Sequence, residues 1–199
     1  MTPTEFVDGL AAVMEVERTE LATVDRALAK QGLRQIARGR ARPDITLREG
    51  LQIVCAWAGA KKLTDAAEEV KRLEHYHSDA VSKEKSENTK RDKDSFGSDF
   101  VREHEDLNGK NFFVVLSEIV RWLGEEERKA ERLWVSIQKG GKPEIHYDCK
   151  FPKKKSLGFV WCGKLDLFNN KKVPPKPVEI TASIRGTVLK WIFDVTEGA

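Results

Sequence analysis

The chain has little cysteine, methionine or tyrosine, no long apolar run and no large excess of charge of either sign. Its 199 residues include three Cys, two Met and two Tyr. The cysteines, Cys55, Cys149 and Cys162, are odd in number and lack framework spacing, which excludes a disulfide-stapled scaffold and suits free thiols in a reducing compartment. The longest apolar runs, such as Phe112 to Leu116, are far too short to span a bilayer, and the first residues lack the basic-then-apolar order of a secretory signal. The sequence therefore predicts a cytoplasmic protein with no membrane partner. A net charge of +3 is too small to argue for nucleic acid by itself, so its distribution matters more than its sum. No Gly-x-Ser-x-Gly, P-loop, His-Glu-x-x-His or Gly-rich dinucleotide turn is present. Neither an enzyme nor a cofactor is expected.

Hydrophobic residues at 40% and charged residues at 34% describe a folded chain with a highly charged surface. The length admits one large domain or two small ones, and a shift in composition favours two. From Ser78 to Ser95 the sequence is a mixture of Lys, Glu, Asp, Ser and Asn with Val81 as its only large apolar residue. Such a stretch buries too little surface to offset the entropy of ordering it. The expected plan is α+β: a helical domain over 1–77, a charged linker over 78–95, and a small antiparallel sheet with flanking helices over 96–199.

In the first part, Phe6, Leu10, Val13 and Met14 recur at helical spacing. A second helix can start at Thr19, whose hydroxyl can accept a first-turn amide, bury Leu21, Val24 and Leu28, and stop at Gly32. Its opposite face carries Thr23, Arg26, Ala27 and Lys30, which is small, polar and basic, as suits a helix in a major groove. An arginine-rich turn follows, where Gly39 is flexible and Pro43 pushes the residue before it toward an extended shape. Thr46-Leu47-Arg48-Glu49 then matches a capping box, and Leu47, Leu51, Val54 and Ala58 mark the buried face of the next helix. A further helix can start at Thr64 and run through Leu73.

Between Arg26 and Arg48 stand seven basic residues, Arg26, Lys30, Arg34, Arg38, Arg40, Arg42 and Arg48, and one acidic residue, Asp44. Phosphate contacts by Arg34, Arg38, Arg40 and Arg42, with Arg48 beside them, would supply salt-dependent affinity. Thr23, Arg26, Ala27 and Lys30 are the candidates for base edges. The run Leu21 to Leu33, the Arg/Gly turn, and Ile45-Thr46-Leu47-Arg48-Glu49-Gly50 together resemble the order of a MerR-like or phage-repressor-type winged helix. In that family a recognition helix ends at a glycine-leucine pair, a basic wing follows, and a capped helix closes the core. The resemblance covers roughly residues 4–73 and departs from the MerR pattern in lacking the aromatic pair after the recognition helix. It implies double-stranded DNA as partner, and useful specificity would need a homodimer on a two-fold site. The layout also resembles small accessory proteins of bacterial prophages.

In the second part, Phe112 to Leu123 is apolar nearly all round a helix, which fits a central core helix or an interface. Leu133–Gln138 and Glu144–Cys149 read as a hairpin around Gly140-Gly141, and 158–162 and 178–182 can extend the sheet. A last helix spans Thr187 to Val195, with Leu189, Trp191 and Phe193 available to pack or to meet a partner. Lys150, Lys153, Lys154, Lys155, Lys164, Lys171, Lys172 and Lys176 form a second basic cluster, of a kind that more often protects sheet edges than binds. His146 and Cys149, three apart on a strand, point to opposite faces, and no second pair completes four ligands, so no metal is expected.

Three classes of function follow. The first is a DNA-binding transcriptional regulator whose second domain dimerises or recruits another protein. The second is a phage-encoded inhibitor that occupies a host defence complex, as anti-CRISPR proteins do. The third is an assembly protein that associates through the apolar helix 112–123.

Overall fold

Helix α3, Leu47–Gly59, is the hub of the molecule. All of its residues except Arg48 and Trp57 are buried, far more than the one-sided stripe of Leu47, Leu51, Val54 and Ala58 predicts. The reason is that it is surrounded: α2 (Arg18–Lys30), α4 (Ala66–Glu74), α5 (Phe112–Gly124), α6 (Gly186–Thr196) and strands β1 (Leu133–Gln138) and β4 (Thr181–Arg185) all pack on it. In this computed structural model the described residues are 1–35, 43–78, 107, 109–124, 130, 133–147, 164–165 and 180–198. Two glycines let the neighbours approach. A Cβ on Gly50 would stand 2.8 Å from Ile192 and 2.9 Å from Phe6, and one on Gly59 would stand 2.7 Å from Ile137.

Local chemistry sets the helix ends. Helix α1, Pro3–Met14, starts at a capping box of Thr2 and Glu5 with proline in its first turn. It buries Phe6, Val7, Leu10 and Ala11, whereas Val13, expected inside, is exposed. Helix α2 begins two residues earlier than expected, with Glu17 rather than Thr19 at its cap. Its stop is as read: Gly32 has φ +71°, and the amides of Gly32 and Leu33 close back on the carbonyls of Ala29 and Leu28. Helix α3 carries the Thr46/Glu49 capping box, and a 3-10 turn at Leu63–Asp65 leads into α4.

The sheet is antiparallel, in the order β3-β2-β1-β4, with β2 at Pro143–Tyr147 and β3 at Lys164–Leu165. Val135 is the centre of its inner face, paired with Ile145 on one side and Ile184 on the other, and all three are buried. Trp134, Ser136 and Gln138 alternate on the outer face of β1, as expected of a half-solvated sheet. The hairpin stands where predicted. The last strand runs over Thr181–Arg185 and so includes the end of the expected 178–182; residues 178–179 and all of 158–162 lie outside the described residues.

The architecture is therefore α+β, but the two parts assigned to separate domains share one apolar core. Phe6 of α1 lies 5.5 Å, centroid to centroid, from Trp191 of α6, and buried residues from 1–77 and from 107–192 form a single cluster. The physical reason is that α3 is buried on nearly every side and α5, α6 and the sheet supply much of that cover. The apolar helix that motivated an assembly role is spent in the same way: Phe112, Phe113, Val115, Leu116, Ile119 and Val120 of α5 are buried.

The expected linker also has an unexpected setting. Most of 78–95 lies outside the described residues, but the chain on either side is clasped together. Ser78 donates its amide to Lys110 at 2.9 Å and accepts the amide of Gly109 at 2.8 Å, and Phe112 donates to Tyr76 at 2.9 Å. Tyr76 and Ser78 are thus held beside 109–112, far along the sequence.

Candidate nucleic-acid interface

The basic segment grows out of the seam between α2 and α3. Arg26 and Lys30, on the last turns of α2, are exposed. The guanidinium of Arg26 folds back on its own helix, with Nε donating to the Ala22 carbonyl at 3.1 Å. Thr23 is half-buried and its hydroxyl donates to the Thr19 carbonyl at 2.8 Å. Ala27 is half-buried and packs against the core, which takes it away from an outer reading face. Of the four residues proposed for base edges, Arg26 and Lys30 thus present a cation to solvent.

The arginines proposed for phosphate divide into three kinds. Arg38, Arg40 and Arg42 lie outside the described residues. Arg34 is an internal ion: its Nε pairs with Oδ1 of Asp25, and each side chain is only 13% exposed. Both of those atoms are buried without an aligned hydrogen bond, so the contact is one of charge. Arg34 also donates through Nη1 to the Gln35 carbonyl at 2.7 Å. Arg48 reaches out of the first turn of α3 to Glu74 of α4, Nη2 to Oε1 at 2.7 Å.

Carboxylates that the sequence did not single out as site residues organise this seam. Glu49, buried on α3, accepts the amide of Gln35 through one oxygen at 2.7 Å and the amide and hydroxyl of Thr46 through the other at 2.9 and 2.8 Å. The capping glutamate of α3 is thus also the clasp that holds the two ends of the turn together. Asp25 faces Arg34 and Arg26 as attracting charges and Glu49 as a repelling one, and burial, the largest influence, pushes its carboxyl above the usual carboxylate range. Asp25 is recognisable in hindsight, because the reversal at Gly32 brings Arg34, two residues on, back along α2. Nothing local marks Glu74 as the partner of Arg48.

The second basic cluster, apart from Lys164 on β3, lies outside the described residues, as do Cys149 and Cys162. His75 and His77 are exposed, with their Nδ1 atoms 2.6 Å from the Lys71 carbonyl and 3.0 Å from the His75 carbonyl. Among the described residues no helix is long and apolar enough to cross a membrane, and no group of three or more His, Cys, Asp or Glu is placed to hold a metal ion. Compared with protein-family models, with curated proteins and with solved structures, the chain matches none.

Proposed function

We propose that the protein binds duplex DNA, as a small transcriptional regulator does, through the edge formed by the last turns of α2 and the arginine-rich turn 36–42. The observation that carries the reading is how charge is divided at the seam. Arg34 and Arg48 are neutralised by Asp25 and Glu74, which stand outside the 26–48 segment. Of the other five cations in that segment, Arg26 and Lys30 are exposed on α2, and Arg38, Arg40 and Arg42 follow in the sequence before its one acid, Asp44. A buried carboxylate holds Gln35 and Thr46, on either side of this stretch of sequence, at one place. Fixed ends limit the entropy lost when such a turn meets an anion.

Each phosphate met by one of these cations should add about −0.9 to the slope of log affinity against log salt. The test is fluorescence anisotropy of the full chain with a random-sequence duplex over a range of salt, beside the variant R38A/R40A/R42A. Weakened binding with a slope shallower by about 2 to 3 supports the reading. Unchanged binding by a folded triple variant rejects it. Contacts from a single edge are few, so sequence preference would require a second copy on a two-fold site.

A further inference from the structure

We infer that Asp25 is an internal competitor for Arg34, so that engagement of a polyanion by Arg34 at this edge is coupled to uptake of a proton by Asp25. The inference rests on the proposed polyanion-binding function and concerns its regulation.

The pair stands at the root of the basic segment, between the last turns of α2 and the clasp at Gln35. Both partners are largely buried, and their facing atoms have no aligned hydrogen bond, so the pair lacks the directional lock of a bidentate arginine-carboxylate contact. The charges that face Asp25 are Arg34 from the segment after α2, Arg26 from its own helix and Glu49 from α3. An incoming phosphate would attract Arg34 and Arg26 and leave Asp25 without its counter-ion and beside the negative charge of Glu49. Such a site relieves itself by binding a proton. Burial already favours the protonated form, which lowers the cost of that step. With Asp25 neutral, Arg34 is available as one more phosphate contact.

A structural ion pair and a competitor predict different salt behaviour. In duplex-binding assays on the full chain, D25N should steepen the salt slope by about 0.9, the signature of one added phosphate contact, and D25N/R34Q should return it to the wild-type value. A wild-type slope in D25N overturns the inference, and so does a steepening that persists in the double variant. Thermal melts of each variant establish that it is folded. Should D25N not fold, wild type and R34Q are compared at neutral and at acidic pH, since protonation of the carboxylate is favoured by acid. Steepening on acidification that is larger in wild type than in R34Q supports the coupling, and identical responses overturn it. Failure of the wild-type protein to bind any duplex removes the proposed function and this inference together, whereas binding with an unmoved D25N slope removes the inference alone.

Discussion

The carboxylate of Glu49 accepts the backbone amide of Gln35 at 2.7 Å, fourteen positions away, while it completes the capping box of its own helix. The same box at Thr2 and Glu5 of α1 is exposed and holds nothing beyond its helix. Removing Glu49 strips a cap worth about 1 kcal/mol and leaves part-buried amides without an acceptor at about 1–3 kcal/mol more. E49A should therefore lower stability by about 2–4 kcal/mol in urea unfolding. E5A, whose donors water can satisfy, should cost less than about 0.5 kcal/mol. Equal losses at the two sites would mean that Glu49 is only a cap.

Trp191 packs on Phe6 and Gly9, and Ile192 on Gly50, so the last helix closes the first. A chain ended near Tyr76 would leave these surfaces and most of α3 open to water. It should show no cooperative thermal transition by circular dichroism. W191A should keep the fold, at a cost of about 2 kcal/mol, below the roughly 3–5 kcal/mol of a fully buried aromatic because the indole is half-buried. A sharp melt from the short chain would show that the shared core is dispensable.

The backbone hydrogen bonds of Ser78 with Gly109 and Lys110 make a further prediction about residues 79–106. Replacing them with a short Gly-Ser turn should preserve the fold. The shorter connection should even stabilise it slightly, since each halving of loop length returns about 0.6 kcal/mol of closure entropy. Retained melting temperature and m-value would bear this out, whereas loss of the cooperative transition would show that 79–106 supplies part of the core.

What could be read in the sequence was local. The stop at Gly32, the Thr46/Glu49 box, the hairpin around Gly140-Gly141 and the α+β plan each depend on residues a few positions apart, where propensity and turn chemistry act directly. The burial of Gln52 and Ile53 was not legible, because α5, α6 and the sheet that cover them arrive from sixty to a hundred and forty positions later. The same limit governs the candidate site. Counting arginines treats Arg34 and Arg48 like Arg38, but folding gives the first two carboxylate partners from beyond the counted segment. The register of β4 is set by its pairing with β1, where Ile184 must meet Val135.

Two carboxyls make opposite predictions for stability against pH. Glu197 receives two bonds of 2.8 Å from Arg121, and these hold its pKa below the ordinary value. A group lowered on folding contributes stability that is present above its unfolded pKa and is lost as the pH falls through the folded one. Asp25 is raised, chiefly by burial, so its contribution is complete below its unfolded pKa and is lost as the pH rises through the folded one. The Glu197 carboxyl is about a third exposed, so screening should keep its effect under about 1 kcal/mol, or within about 2–4 °C of melting temperature. Melting curves of wild type, E197Q and D25N between about pH 3 and about pH 7 separate the two. The difference between wild type and E197Q should grow as pH rises across that range, and the difference between wild type and D25N should fall. Difference curves that slope the same way would mean that the partner charge, and not burial, governs Asp25, and the internal competition for Arg34 would then lose its physical basis.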